Sequence, residues 1–180
     1  MLPNPLHPAI VHFPIVLATL IPIFAIVALI VKARRPAASR VWLVVIVLQF
    51  LLVASTRVAT QTGENEEEVV EKVVAESEIH EHEEAAEKVM AFGLVGLVLS
   101  LLGLARGRAG QVAQLVAVTA FLAAGVAAFQ TAKLGGELVY KHGAASAYAS
   151  PSGVSAEPGM QEFQGTDEDD DDHDDDGDDD

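Results

Sequence analysis

The 180-residue sequence predicts an all-α integral membrane protein: a four-helix bundle with an extramembrane helical extension before the third span and a disordered acidic C-terminal tail. Three observations carry that prediction. Four apolar runs, about 10–31, 41–59, 89–105 and 112–134, come close to or exceed the roughly 20 residues that cross a bilayer as a helix. No acid occurs before Glu64. Basic residues gather in two links: Lys32, Arg34, Arg35 and Arg40 in the first, Arg106 and Arg108 in the third, with no acid in either.

The first run opens on "LHPAIVHFPIV". Pro8 suits a first helical turn and pushes His7 out of helical geometry, so His7 is expected to be interfacial and structural, a secondary candidate only. Pro14 leaves the Ile10 carbonyl without its helical donor. A kinked, partly unwound helix start is therefore expected, with His12 presented into the mouth of the bundle as a ligand. The first two runs are rich in β-branched residues, but an open strand in lipid would leave its backbone unpaired, so both are helices. Arg57 closes the second run, where it is expected to pair with Glu137 or to meet an anionic group such as a haem propionate.

The acidic link 64–88 is expected to be one helix running into the third span. Asn65 would cap it, Glu66–Glu68 would sit at the positive end of its dipole, and Glu68/Lys72 and Glu84/Lys88 are i,i+4 pairs. Its 11 acids between Glu64 and Glu87 read mainly as a solvated face. A carboxylate di-iron site is a weak reading, because Glu137 is the only acid on another span. His80 and His82 lie about 200° apart on a helix and cannot both face inward. His82 continues into Ala86, Val89, Gly93 and Gly96, a stripe of small residues suited to close packing, whereas His80 continues into Glu84 and Glu87 and faces solvent.

The fourth run ends in "TAKLGGELVYKHG". His142 before Gly143 fits a helix C-terminus. Gly135 and Gly136 bring the backbone within reach of a neighbour or a flat ligand, with Gly135 two turns below His142 on one face.

The positive-inside rule puts both basic links in the cytoplasm, making this a multi-pass cell-membrane protein with both termini and the acidic link outside. No basic segment precedes the first run, so a cleaved signal peptide is not expected. His7, His12, His80, His82 and His142 then share the outer end of the bundle. With no cysteine, thiolate copper, iron–sulfur and covalent haem sites are excluded, leaving His, carboxylate or Tyr as ligands.

Two functions compete. In the first, His12 with His82 or His142 holds a b-type haem at the outer face, with Gly135 and Gly136 making room and Arg57 near a propionate. The same end offers His12, His82, His142 and Glu137 to a transition-metal ion as the alternative, with His7 and Tyr140 secondary. Such a redox component could meet a quinone from the lipid bilayer or an extracytoplasmic redox partner. In the second, the histidines, Arg57 and Glu137 form a buried polar network in a non-catalytic structural or accessory module. Cation transport is weaker, since no acid lies at mid-membrane.

On "LHPAIVHFPIVL", "HEEAAE" and "GGELVYKHG", the chain resembles the domain-of-unknown-function-2231 family of predicted four-helix membrane proteins, from roughly Leu6 to Gly143. The resemblance implies the fold and the membrane location and no activity.

Residues 1–142 are thus read as the membrane domain and 143–166, rich in Ala, Ser, Gly and Pro, as a flexible linker. Residues 167–180 are a poly-Asp tail holding 12 of the 26 acids; without it 14 acids face 11 bases. The formal charge of -15 therefore belongs largely to the tail and argues against nucleic acid as a partner. Asp172, Asp174, Asp176 and Gly177 imitate the start of a calcium loop, a coincidence expected within a run of aspartates, and His173 there is not a site.

Overall fold

The computed structural model describes residues 5–35 and 40–149. Among them are the helices α1 His7–Ile10, α2 His12–Arg34, α3 Val41–Val70, α4 Glu76–Leu102 and α5 Arg108–Tyr140, then a short 3₁₀ turn, η1, Ala144–Tyr148. The poly-Asp tail lies outside the described residues.

Among the described residues, four stretches are long and apolar enough to cross a membrane: His7–Arg34, Val41–Val70, Glu76–Leu102 and Arg108–Tyr140. Consecutive spans run antiparallel and pack side by side, and α5 closes the ring against α2. One end carries the basic links, here called the arginine end; the other is the histidine end. The apolar exterior is what a lipid-facing surface requires: Phe129, Phe13, Val126 and Leu115 are all more than 60% exposed.

Small residues line the inside. In α2 the buried positions are Pro14, Ala18, Ile21, Pro22, Ala25 and Ala28, a stripe at helical spacing. It meets Trp42, Val45 and Leu52 of α3, Val89 of α4, and Ala117, Phe121, Ala127 and Ala128 of α5 in a single core. Without a hydrophobic driving force between helices in lipid, close backbone approach supplies the attraction, and Ala and Gly permit it.

Five sequence expectations change. Pro14 does not unwind the first helix: Val11 alone separates α1 from α2, with near-helical dihedrals of −59° and −21°. Asn65 caps nothing, because α3 continues past its apolar run to Val70 and the chain turns at 71–75, with Ala75 capping α4. Glu64–Glu68 therefore sit near the negative, C-terminal end of a helix, a placement the dipole alone disfavours; docking of Glu66 against the first helix offsets it. Glu84–Lys88 do pair at 3.9 Å, whereas Lys72 falls beyond α3 in the turn. Finally, 143–149 is not linker: Ala144 is buried with Val74 and Ile79 against Val70 and Leu138, and Gly143, at a φ of 72°, makes the left-handed turn that folds η1 back.

Candidate functional site: a pair of seated imidazoles at the histidine end

Two histidines meet at this end. The rings of His7 and His82 stand 6.1 Å apart, centre to centre, with planes at 87°. His7, from sequence an interfacial, structural residue and a secondary candidate, meets the His82 ring. It lies seven residues before the buried Pro14, two helical turns away, hence on the inward stripe.

Both rings are seated by the same device. His7 Nδ1 lies 2.9 Å from the Ala59 carbonyl oxygen of α3, and His82 Nδ1 lies 3.1 Å from the Thr131 carbonyl oxygen of α5. Four residues after each carbonyl comes a glycine, Gly63 and Gly135. A Cβ at Gly63 would lie 3.2 Å from His7 Cε1, and one at Gly135 would lie 3.1 Å from His82 Cε1. In a helix the side chain at i+4 crowds the carbonyl of residue i, so each glycine opens its carbonyl to an imidazole. A carbonyl only accepts, so in the neutral ring each Nδ1 carries the proton and each Nε2 keeps its lone pair. Neither Nε2 has a hydrogen-bond partner among the described residues.

Glu66 ties the first helix to the third. Its Oε1 accepts from the backbone N–H of Leu6 at 2.6 Å and of His7 at 2.9 Å, donors that would otherwise be orphaned at a helix start. Its Oε2 accepts from the Tyr148 hydroxyl at 3.1 Å. Thr62 completes the wall: its hydroxyl donates to the Ala59 carbonyl at 2.8 Å and lies 3.2 Å from His7 Nδ1.

Burial, then the Glu66 charge and hydrogen bond, push the Tyr148 phenol up to about 12. Since the folded value lies above the ordinary one of roughly 10, docking of η1 is fully supported below pH 10 and loses that support as pH rises towards 12. A phenolate absorbance titration should show a step at about 12 that Tyr148→Phe abolishes and Glu66→Gln moves down. An unmoved step in Glu66→Gln would contradict the contact.

The remaining expected site residues go elsewhere. His12 is exposed; two residues from Pro14 is about 200° around the helix, so it points away from the stripe. His142 Nε2 pairs with Glu78 at 3.3 Å. Arg57 meets Glu64 at 3.6 Å on the surface, not Glu137, which pairs with Lys133 and Lys141 at 3.5 and 3.2 Å. Tyr140 is 91% exposed, and among the described residues no atom lies within 4 Å of where a Cβ at Gly136 would stand. His12, His82, His142 and Glu137 therefore form no common ligand set. Among the described residues no three His, Asp or Glu side chains are grouped to hold a metal ion. His80 stays exposed beside Glu83 and Glu84.

His7, the member of the pair rated only secondary, has a readable signal: small residues and prolines at helical spacing in α2 point back to it. Glu66, Thr62 and Tyr148 had none, since each acts across 50 or more residues.

No curated protein and no solved structure matches the chain. The model of a family described as predicted membrane proteins matches residues 3–147, a stretch that contains all four spans and both seated imidazoles. The chain belongs to the domain-of-unknown-function-2231 family.

Proposed function

We propose that His7 and His82 are the axial ligands of a b-type haem and that the chain is an electron-transfer component of the membrane. One observation carries this reading: two imidazoles, each oriented through Nδ1 by a backbone carbonyl, keep Nε2 free at a ring separation of 6.1 Å. A carbonyl on the distal nitrogen is the usual support of a ligating histidine. His7 and His82 would hold the haem iron through Nε2, and the haem would supply one-electron chemistry. Two protein ligands suffice for haem iron, whose macrocycle supplies the other four, but leave a bare transition-metal ion under-coordinated. The basic links argue that the histidine end and both termini are extracytoplasmic, which suits exchange of electrons with a quinone or an external redox protein.

Absorbance of the detergent-purified protein, expressed with ample haem, tests the reading. A Soret band is expected, lost in His7→Ala and His82→Ala and kept in His12→Ala and His142→Ala. A colourless protein that takes up no added haem overturns it.

The second reading, a non-catalytic accessory module, is favoured by a different observation: Glu66 joins Leu6, His7 and Tyr148 into one latch across the helix ends. On that reading His7→Ala and His82→Ala lower the unfolding midpoint of a colourless protein and change nothing else.

A further inference from the structure

The arginine end holds a second feature, independent of the histidines. The ends of α2 and α3 and the turn between α4 and α5 enclose a cleft of about 390 Å³ lined by Lys32, Arg40, Arg106 and Gly107, with Trp42 at its back and Leu43 and Leu104 at its rim. Its walls are fixed. Lys32 Nζ donates to Gln114 Oε1 at 2.8 Å, Gln114 Nε2 donates to the Gly103 carbonyl at 2.6 Å, and Trp42 Nε1 donates to the Ser100 carbonyl at 2.9 Å.

Its charge is of one sign. No acid occurs from Met1 to Gly63 or from Lys88 to Gly136. Among the described residues none of Lys32, Arg34, Arg35, Arg40, Arg106 and Arg108 forms an ion pair. Three cations thus converge on one cleft with no ion-paired carboxylate among the described residues, and Arg guanidinium groups match phosphate oxygens in pairs. The rim is apolar and open: Leu43 is 46% and Leu104 51% exposed. A ligand with a phosphate at one end and hydrocarbon at the other satisfies both halves.

We propose that this cleft binds the phosphate of an anionic phospholipid, with the acyl chains lying along Leu43 and Leu104. Retention of positive charge by a cytoplasmic link explains the presence of basic residues but not their convergence on a walled cleft. Basic pockets between the ends of membrane helices are a recurrent way to hold acidic headgroups.

The test uses the full chain in detergent, with native mass spectrometry and thermal unfolding against phosphatidylglycerol, phosphatidylcholine and inorganic phosphate. Phosphatidylglycerol is expected to stay bound and raise the midpoint, and the other two are not. Arg40→Gln/Arg106→Gln should weaken phosphatidylglycerol by about tenfold or more, while Arg57→Gln at the opposite end leaves it unchanged. Arg40→Lys/Arg106→Lys retains the charge and controls for folding; it should bind between the two. Equal binding of phosphatidylcholine, or undiminished phosphatidylglycerol binding in a folded Gln variant, overturns the proposal. Inorganic phosphate giving the full shift overturns the lipid assignment in favour of a free anion.

Discussion

Glu66→Ala unlatches the histidine end. Its carboxylate accepts from the Leu6 and His7 amides and from the Tyr148 hydroxyl, so one truncation releases the start of the first helix and the 3₁₀ turn together. Hydrogen bonds to a charged acceptor contribute about 1.5–3 kcal/mol each, less where water can replace them. A loss of about 2–4 kcal/mol in local stability is expected, enough to speed hydrogen exchange of the amides of Leu6, His7, 9–11 and 144–148 by tenfold or more. The mid-span amides of α4 and α5 should not change. Glu66→Gln keeps an acceptor oxygen and should fall between. Glu64→Ala is the internal control: among the described residues Glu64 pairs with Arg57, at 3.6 Å with both side chains more than half exposed, a pair worth little. Equal exchange rates in Glu66→Ala and Glu64→Ala would remove the latch. If haem binds at His7, the same variant should also weaken it, because Glu66 holds the segment that carries that ring.

The spans were legible because hydropathy averages over 20 residues and lipid sets their length. Which face each helix buries was far less so. In α2 nearly every residue is apolar, so the only sign of the inward face is size, and Pro14, Ala18, Ala25 and Ala28 mark it. Taking depth in the membrane as the guide favoured His12; taking the small-residue stripe would have favoured His7. In α4 that stripe turns His82 inward, and the helix it meets there is α5. Gly135 was likewise read as a point of close approach, and the group that approaches is the His82 ring. The acidic link misled for a different reason. Asn65 and the glutamates match every local rule for a helix start, yet they end α3, because Glu66 gains three donors from distant segments that no local rule includes. A tertiary contact that reverses a dipole preference cannot be found from spacing alone.

Gly96→Leu should be strongly damaging to the packing between α4 and α5. A Cβ at Gly96 would lie 2.8 and 2.9 Å from Phe121 Cε1 and Cδ1, and 3.0 Å from Gln49 Nε2. Phe121 is 1% and Gln49 0% exposed, so neither has room to give way. Overfilling a packed core costs about 1–3 kcal/mol. A second cost adds to it. Gln49 Nε2 donates to the Gly93 carbonyl at 2.7 Å, and its Oε1 is buried without a partner among the described residues; displacing the amide breaks that one bond and strands its donor for about 1–3 kcal/mol more. Together they predict a loss of roughly 2–6 kcal/mol, read as a fall in the denaturant midpoint of the detergent-solubilised protein. Gly96→Ala carries the Cβ alone and should cost less than Leu. Phe121→Ala opens space on the far side of the same contact. If steric overlap is the cause, Gly96→Leu/Phe121→Ala is more stable than the two single losses added together. Simple additivity would mean that Gly96 matters through helix propensity and not through the contact between α4 and α5.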